Sequence, residues 1–355
     1  MMKAASLFSG AGICEFYLKS IGINVVVADE IITSRAVVHS ILYPQCKMIN
    51  DDITQYDTQK QIIKECKKQK IEIIIATPPC QGLSSAGKNR TKQSLYDDPR
   101  NFLILSALKV FDAIKPKYFF IENVPRFQHM IFPFENEFVT LYELLVRKYS
   151  EEYVVACDVL NAADYGVPQT RHRVVYRMWK KGINWNLPKK QKQITLREAI
   201  GNLPSLESGD VSSLKNHFAR KHPANHIECM RHTPTGQSAF KNEIFFPKRA
   251  DGIKIKGYGN TYKRMSWDCP APTITMRNEI ISSQENVHPG RKIGDNLWSD
   301  ARVLTLRELL IVSSLPADLS KPDNITETSF RQLIGEGIPP LMMKEIMKGI
   351  EELDE

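Results

Sequence analysis

Two reactive side chains follow two apolar segments that are typical of buried strands. Cys80, in Pro79-Cys80-Gln81, comes just after the apolar run of residues 71–76, and Glu122 closes a second run that begins at Tyr118. Open α/β sheets build their sites at the carboxyl ends of their strands, so we expect the thiol and the carboxyl group at one edge of a sheet. A cysteine nucleophile beside a carboxyl group suits covalent chemistry on an electron-poor ring.

A pyrimidine ring illustrates what this pair of groups can do. Its C5 atom is not nucleophilic, but a thiolate that adds to C6 turns C5 into an enamine-like nucleophile and divides one hard step into easier ones. Cys80 is the candidate for this attack, and Glu122 can bond to or protonate a ring nitrogen. Either residue alone is more often structural, as a buried thiol or a surface charge, so the surrounding motifs must carry the argument.

A small-residue turn and several carboxylates point to a nucleoside ligand. The first apolar strand runs into Gly10-Ala11-Gly12, where the backbone can approach a ligand closely. The next apolar run ends in Asp29-Glu30, where a carboxylate can bind ribose hydroxyls, and Asp51-Asp52 follows a third run. No G-x-G-x-x-G continuation or second nucleotide-binding unit follows, so a cofactor without a pyrophosphate fits better than NAD. An NAD oxidoreductase is the weakest alternative.

With these motifs in order, the chain resembles a DNA (cytosine-5) methyltransferase of the bacterial restriction-modification type. The matching segments cover nearly the whole chain apart from a central region: residues 6–12, 29–30, 51–54, 76–84, 120–124, 161–166, 169–173, 304–308 and 335–340. The resemblance implies an α/β fold, a Rossmann-like methyltransferase sheet with helices on both faces, plus a smaller irregular target recognition domain. It implies S-adenosyl-L-methionine as the methyl donor and a flipped-out cytosine in a specific double-stranded DNA sequence as the substrate.

The resemblance also assigns roles to residues at the matching positions. Cys80 resembles the nucleophile, Glu122 the carboxyl group at the cytosine Watson–Crick edge, and Arg173 the guanidinium on cytosine O2, with Arg171 as its organiser. The cofactor pocket is expected to contain Phe8, Gly10, Ala11, Gly12, Glu30, Asp52, Ile53 and Pro79, with Glu30 on the ribose and Asp52 near the adenine amino group. The segment of residues 81–100 is expected to form an active-site loop in which Gln81 and Ser84 contact DNA.

The last matching segment departs from the family pattern. The family usually has Gly-Asn before a small residue and prolines, whereas this chain has Gly335-Glu336 before Gly337 and Ile338. The usual asparagine helps to bind the cofactor, and a glutamate offers acceptors without donors and adds a negative charge. Glu336 is kept as a cofactor contact because a negative charge near a sulfonium cation is tolerable.

The excess positive charge of the chain lies in its central region. The net charge is +8, and residues 181–300 hold 19 Lys and Arg against 11 Asp and Glu, whereas the remainder balances. Such a segment attracts phosphates and gives salt-sensitive affinity. It is rich in Gly and Pro, which predicts loops with short strands, and basic residues alternate with aromatics. Arg264, Arg277 and Arg291 are the candidates for base contacts.

A histidine-rich stretch in the same region raises the question of zinc. Five potential ligands occur at ligand-like intervals: His217, His222, His226, Cys229 and His232. Only one thiol is present, and the spacing matches no established zinc motif, so we predict polar contacts and no metal.

The predicted domains are a catalytic and cofactor-binding domain over residues 1–180, a target recognition domain over 181–303, and a hinge with a C-terminal helix over 304–355. Seven cysteines without a C-x-x-C pair favour reduced thiols, and no apolar run reaches 18 residues. We expect a cytoplasmic, nucleoid-associated monomer without a membrane segment, and a cognate restriction endonuclease that acts separately. The alternatives are an RNA (tRNA) cytosine-5 methyltransferase and a catalytically silent DNA-binding protein.

Overall fold

The computed structural model describes residues 1–79, 98–249 and 251–350. The chain divides into two compact units. The first unit comprises the described residues of Met1–Asn161, His172–Lys189 and Met343–Glu355, and the second comprises those of Ala162–Arg171 and Lys190–Met342.

The first unit is built on a seven-stranded sheet. Its strands are β1 (Met2–Leu7), β2 (Ile23–Asp29), β3 (Lys47–Ile49), β4 (Ile73–Ala76), β5 (Tyr118–Asn123), β8 (Tyr153–Asn161) and β9 (His172–Lys180), while β6 (Ile131–Phe134) and β7 (Glu137–Thr140) form a separate hairpin. The order in the large sheet is β3-β2-β1-β4-β5-β9-β8, and β9 runs antiparallel to both of its neighbours. The expected α/β fold with a mostly parallel sheet is confirmed.

The central strands are buried along their whole length, which explains why their sequences lack polar alternation. Every residue of β4 and β5 is buried, and these strands consist mainly of Ile, Phe and Tyr. A parallel strand covered on both faces reads as a continuous apolar run, whereas a half-exposed strand alternates. The residue pairs Ile73↔Tyr118 and Ala76↔Ile121 fix the register of β4 against β5. This register brings the carboxyl ends of β4 and β5 to one edge.

Among the residues that the structure describes, four α-helices of the first unit precede β8: α1 (Thr33–Leu42), α2 (Tyr56–Gln69), α3 (Ile104–Ile114) and α4 (Leu141–Tyr149). Phe111 of α3 stacks on Phe119 of β5, with ring centroids 4.9 Å apart, and packs edge-on against Tyr149. The glycine turn is followed by two 3₁₀ helices, Ile13–Glu15 and Leu18–Ile21.

The second unit contains little regular structure. Its elements are α5 (Leu196–Ile200), α6 (Ala224–Arg231), α7 (Leu306–Val312), α8 (Glu327–Glu336) and a two-stranded ribbon of β10 (Lys292–Gly294) and β11 (Leu297–Trp298). Helices α5 and α7 begin with the same capping box, in which a threonine hydroxyl and a glutamate three residues later satisfy backbone N–H groups at the helix start. The expectation of loops with few regular elements in this region agrees with these bounds.

Helix α9 (Pro340–Met347) lies in the segment of residues 304–355, which is expected to contain a C-terminal helix. A close contact within the first unit follows this helix. The Asn186 N–H donates to the Gly349 carbonyl, and a Cβ on Gly349 would lie 1.6 Å from the Asn186 carbonyl oxygen. Only a glycine allows this approach.

Candidate active site

Glu122 and Arg173 form an ion pair at the carboxyl end of β5. Glu122 is aligned with Val175 of β9, and Arg173 lies two residues before Val175, so both side chains are on one face of the sheet. The Arg173 Nε atom lies 2.7 Å from Glu122 Oε1, and both side chains are nearly buried. Arg173 also donates to the His172 carbonyl at 2.7 Å. Two of the predicted catalytic residues therefore meet although 50 positions separate them in the chain.

The chain that leads to Cys80 is tied to the same edge of the sheet. The buried Asn123 side chain donates from Nδ2 to the Pro78 carbonyl at 3.1 Å. Pro79, a predicted cofactor contact, is half-buried. Asn123 was missed as a site residue, although its place directly after Glu122 was a usable signal. Cys80 lies outside the described residues, as do the predicted DNA contacts Gln81 and Ser84.

The glycine turn after β1 is held by the carboxylate of Glu30. Gly10 and Gly12 have φ angles of +58° and +74°, which favour glycine. Glu30 accepts from the Gly10 N–H at 2.9 Å through one oxygen and from the Ile32 N–H at 2.8 Å through the other. Each carboxylate oxygen can accept a further hydrogen bond, so Glu30 remains able to bind hydroxyls.

The other predicted cofactor residues occupy both polar and apolar surroundings. Ala11 and Ile53 are buried, and half-buried Phe8 packs against the apolar core of the first unit. Partial burial raises the pKa of Asp52, but hydrogen bonds from Thr54 and Gln55 outweigh it and hold the pKa below its usual value. Asp52 is therefore an anionic acceptor at neutral pH.

The arrangement around the turn fits the adenosyl part of S-adenosylmethionine. A Cβ placed on Gly10 would meet no atom within 4 Å, so the backbone there faces open space. Glu30 and Asp52 offer carboxylate oxygens that can accept hydrogen bonds from the hydroxyl and amino groups of a nucleoside. These acceptors agree with a cofactor that carries ribose and adenine without phosphate.

Asp29 is a second carboxyl group at this edge, and the motif assignment includes no separate role for it. It is 1% exposed, its Oδ1 accepts a long hydrogen bond of 3.4 Å from the Phe8 N–H, and its Oδ2 has no hydrogen-bond partner among the described residues. Burial, together with the nearby charge of Glu30, raises the pKa of Asp29 to about 7. The carboxyl ends of β1 and β2 therefore hold a group that titrates near neutrality.

Arg171 and Glu336 lie together in the second unit. The buried Arg171 guanidinium donates to the carbonyls of Ile274 and Glu336, both at 2.9 Å. A Cβ on the preceding Gly335 would lie 2.2 Å from the Thr275 carbonyl oxygen, so only glycine fits. Arg171 therefore holds two segments of the second unit in place, while Arg173 belongs to the first unit.

Burial contradicts one of the three predicted base contacts. Arg264 is fully buried, and its guanidinium donates to the carbonyls of Met230, His288, Ser299 and Asp300 at 2.8–3.2 Å. Burial lowers the pKa of Arg264 to about 9, which leaves it protonated at neutral pH. The prediction that Arg264 contacts a base is wrong, because all of its nitrogens are already engaged in the interior.

The other two arginines differ from each other. Arg291 bonds to Asp300 and to the carbonyls of Gly201 and Leu203, and its guanidinium lies 5.4 Å from the centroid of the Trp267 ring. Arg277 is exposed and is the one of the three that we retain as a candidate for DNA contact.

The histidine-rich stretch is organised by separate hydrogen bonds. His217 contacts Thr305 and the Pro204 carbonyl, His222 accepts from the Val303 N–H, and His226 contacts the Tyr262 hydroxyl. His232 stacks on Phe245 with ring centroids 3.7 Å apart, and Cys229 is buried. Burial lowers the pKa of His222 to about 4, which keeps its ring neutral. Within the described ranges, no three His, Cys, Asp or Glu side chains are grouped to hold a metal ion.

Comparison with known proteins supports the motif assignment. The family model for C-5 cytosine-specific DNA methylase matches residues 2–352. The chain is 45% identical to the Type II methyltransferase M1.HgaI of Avibacterium volantium over 97% of each chain. It is 30% identical to the Type II methyltransferase M1.HphI of Haemophilus parahaemolyticus over 98% of this chain and 86% of that protein.

Solved structures show the same fold at low sequence identity. A putative DNA modification methyltransferase encoded within an E. coli prophage superposes with a TM-score of 0.69 at 19% identity, covering 98% of each chain. A DNMT2 mutant from Spodoptera frugiperda gives a TM-score of 0.64 at 18% identity, covering 98% of this chain and 99% of that one. In the part of this chain that the structure describes, no helix has the length and apolar character to cross a membrane.

Proposed function

Because the chain belongs to the family of C-5 cytosine-specific DNA methylases, we propose that it methylates C5 of one cytosine in a specific double-stranded DNA sequence, with S-adenosyl-L-methionine as the donor. The observation that carries this proposal is the Glu122–Arg173 pair, with 2.7 Å between Nε and Oε1, on the strand next to the one that precedes Cys80. This edge also holds the glycine turn and Glu30.

The proposed reaction begins when the Cys80 thiolate forms a bond to cytosine C6. Glu122, protonated when the base arrives, donates to the ring nitrogen at the Watson–Crick edge, and Arg173 neutralises charge at O2, so both favour the electron-rich ring that results. S-adenosylmethionine, when bound, supplies an electrophilic methyl group and leaves as S-adenosylhomocysteine. C5 accepts the methyl group, and loss of the C5 proton to water then restores the ring and expels the Cys80 thiolate.

Arg173 orients Glu122 in this proposal. A carboxylate that accepts from a guanidinium Nε keeps one oxygen directed at its partner, so the remaining acceptor capacity has a fixed direction. The same contact ties β9 to β5 at the point where the catalytic strand ends. Glu122 is therefore held in one orientation before the base arrives, which avoids an ordering cost during the reaction.

Cytosine C6 is unreachable inside a stacked duplex, so the target base must leave the helix, at a cost of a few kcal/mol. We assign DNA binding to the second unit, whose central residues carry the excess positive charge, with exposed Arg277 as a named contact. In this proposal the protein acts as a monomer in the bacterial cytoplasm, on nucleoid DNA, and protects host DNA from a separately acting restriction endonuclease.

Trapping the covalent intermediate tests this function directly. A duplex that carries 5-fluorocytosine at the target replaces the departing proton with fluorine, so a stable protein–DNA adduct is expected after methyl transfer. The target itself is first found by bisulfite sequencing of DNA from a methylation-free host that expresses the protein. Mass spectrometry of a peptide digest should place the adduct on Cys80, and Cys80→Ala should form none while still binding DNA.

The matched control is Cys269→Ala, since Cys269 is an exposed thiol in the second unit. It should form the adduct at the normal rate. Methylation of ordinary duplex without any recoverable adduct at Cys80 would reject the covalent mechanism. A parallel assay with tRNA addresses the RNA alternative, which the Type II methyltransferase relatives do not favour, and it should show no methyl transfer.

A further inference from the structure

Helix α1 makes a set of contacts with the glycine turn that the family assignment does not include. The Tyr43 residue at the end of α1 donates its hydroxyl to the Gly12 carbonyl at 2.7 Å. One helical turn earlier, His39 Nε2 lies 3.1 Å from Glu15 Oε2, and both of these side chains are buried. Glu15 closes the 3₁₀ helix that directly follows Gly12. The helix therefore contacts both the turn and the residues just after it.

Packing reinforces these polar contacts. A Cβ on Gly12 would lie 2.4 Å from Tyr43 Cε2 and 2.8 Å from His39 Cδ2, so the two rings cover the glycine directly. The rings also contact each other, with centroids 4.8 Å apart. Gly12 has a φ angle of +74°, a conformation that other residues rarely adopt. The turn is thus confined from the side of α1 by aromatic surface as well as by a hydrogen bond.

The same helix is anchored to the turn at its beginning. Glu30 accepts from the Gly10 N–H and from the Ile32 N–H, and Ile32 is the N-cap residue of α1. Consequently Gly10 is tied to the start of α1 and Gly12 to its end. A movement of α1 would disturb both ends of the turn together, so the conformation of the turn depends on the position of this helix.

We propose that Tyr43, supported by the His39–Glu15 pair, is a positioning residue that holds the glycine turn in the conformation that binds the cofactor. This inference rests on the proposed S-adenosylmethionine site. Tyr43 acts through Gly12 and not on the reacting atoms. Burial raises the pKa of Tyr43 far above its usual value, so the hydroxyl stays protonated and acts as a donor. Its contribution should therefore appear in cofactor affinity, with little change in the rate at saturation.

The chain offers a matched control in Tyr153. Its hydroxyl also donates to a backbone carbonyl of the first unit, that of Pro116, at 2.9 Å, but Tyr153 contacts neither the turn nor α1. Tyr43→Phe and Tyr153→Phe each remove one hydroxyl-to-carbonyl hydrogen bond and keep the ring. Both variants should lose similar thermal stability without ligand, so any difference in cofactor binding isolates the effect of the turn.

The experiment is calorimetric titration of the full chain and both variants with S-adenosylhomocysteine, alongside steady-state methylation with varied S-adenosylmethionine. Tyr43→Phe should weaken binding and raise KM about 5-fold, equivalent to about 1 kcal/mol for one neutral hydrogen bond, with kcat changed less than about 2-fold. Tyr153→Phe should bind as the parent does.

Equal affinity of parent and Tyr43→Phe would overturn the inference, and so would equal weakening in both variants, which would indicate general destabilisation. An effect of Tyr43→Phe on kcat alone would also contradict a role in cofactor positioning. Failure of the parent chain itself to bind S-adenosylhomocysteine would remove the proposed cofactor and this inference with it, and that result is distinguishable because it precedes any mutation.

Discussion

The interiors of the two units are held together by different chemistry. In the first unit, β4 and β5 are buried runs of aliphatic and aromatic residues whose backbone groups are satisfied by the sheet. In the second unit, regular structure is sparse, and its interior contains three fully buried arginines: Arg264, Arg302 and Arg331. The second unit has no extensive sheet to satisfy its buried carbonyl groups. Its buried guanidinium groups do so instead, because each offers five hydrogen-bond donors.

Two buried carboxyl groups, Glu308 in the second unit and Asp29 in the first, show opposite pKa shifts. Burial raises the pKa of Glu308 in the second unit, but the Arg302 guanidinium, bonded to it at 2.7 Å and 3.0 Å, outweighs this and holds the pKa at about 2. Asp29 in the first unit has no cation within ion-pair distance among the described residues, and burial dominates its pKa. Glu308 is thus kept ionised by its guanidinium partner, whereas ionisation of Asp29 is a cost to the first unit.

The largest effect is expected when the charge network of the second unit is broken. Arg302→Met leaves the buried carboxylate of Glu308 without its guanidinium and Asp300 with only that of Arg291, and it should destabilise the protein by about 3–5 kcal/mol. Urea unfolding followed by tryptophan fluorescence measures the loss. Arg277→Met, at an exposed arginine, is the control and should cost less than about 0.5 kcal/mol. An equal loss in the free energy of unfolding for Arg302→Met and Arg277→Met would refute the conclusion that buried arginines hold the interior of the second unit together.

An intermediate effect, of opposite sign, is expected for Asp29→Asn. The folded-state pKa of about 7 lies above the unfolded value of 3.8, so stability falls as pH rises between these values. Asparagine removes this dependence and should stabilise the protein by about 4 kcal/mol at pH 8, with an effect that vanishes below pH 4. Thermal unfolding from pH 4 to 8 tests the difference. Asp300→Asn should instead destabilise at pH 8, and stabilisation by both variants would contradict the comparison.

The smallest effect is expected on the surface of the second unit. Arg277→Ala should weaken binding to duplex DNA about 5- to 10-fold and reduce the slope of log affinity against log salt by about one, because one phosphate contact is lost. Fluorescence anisotropy at several salt concentrations measures both quantities. Lys47→Ala, on β3 of the first unit, is the control and should change neither. An unchanged slope for Arg277→Ala would remove this residue from the DNA-binding surface.

Much of the first unit could be predicted because its signals are local. The apolar runs that begin at Ile71 and Tyr118 predicted strands that the structure confirms as β4 and β5. The meeting of Glu122 with Arg173 follows from the ends of two strands lying side by side. The bounds of α9 were less predictable, since the contact between Gly349 and Asn186 joins distant segments.

The sequence by itself determined the sheet and the candidates for the reactive groups, because apolar runs, glycine turns and strand-end carboxylates act through neighbouring residues. Only the tertiary structure decided which arginines face the interior. Arg264 and Arg277 are both cations in a basic segment, yet the first is enclosed by carbonyls 24–36 positions away and the second is exposed. A cation is buried only where folding brings hydrogen-bond acceptors from distant parts of the chain around it. Local sequence patterns do not show which of these segments will meet.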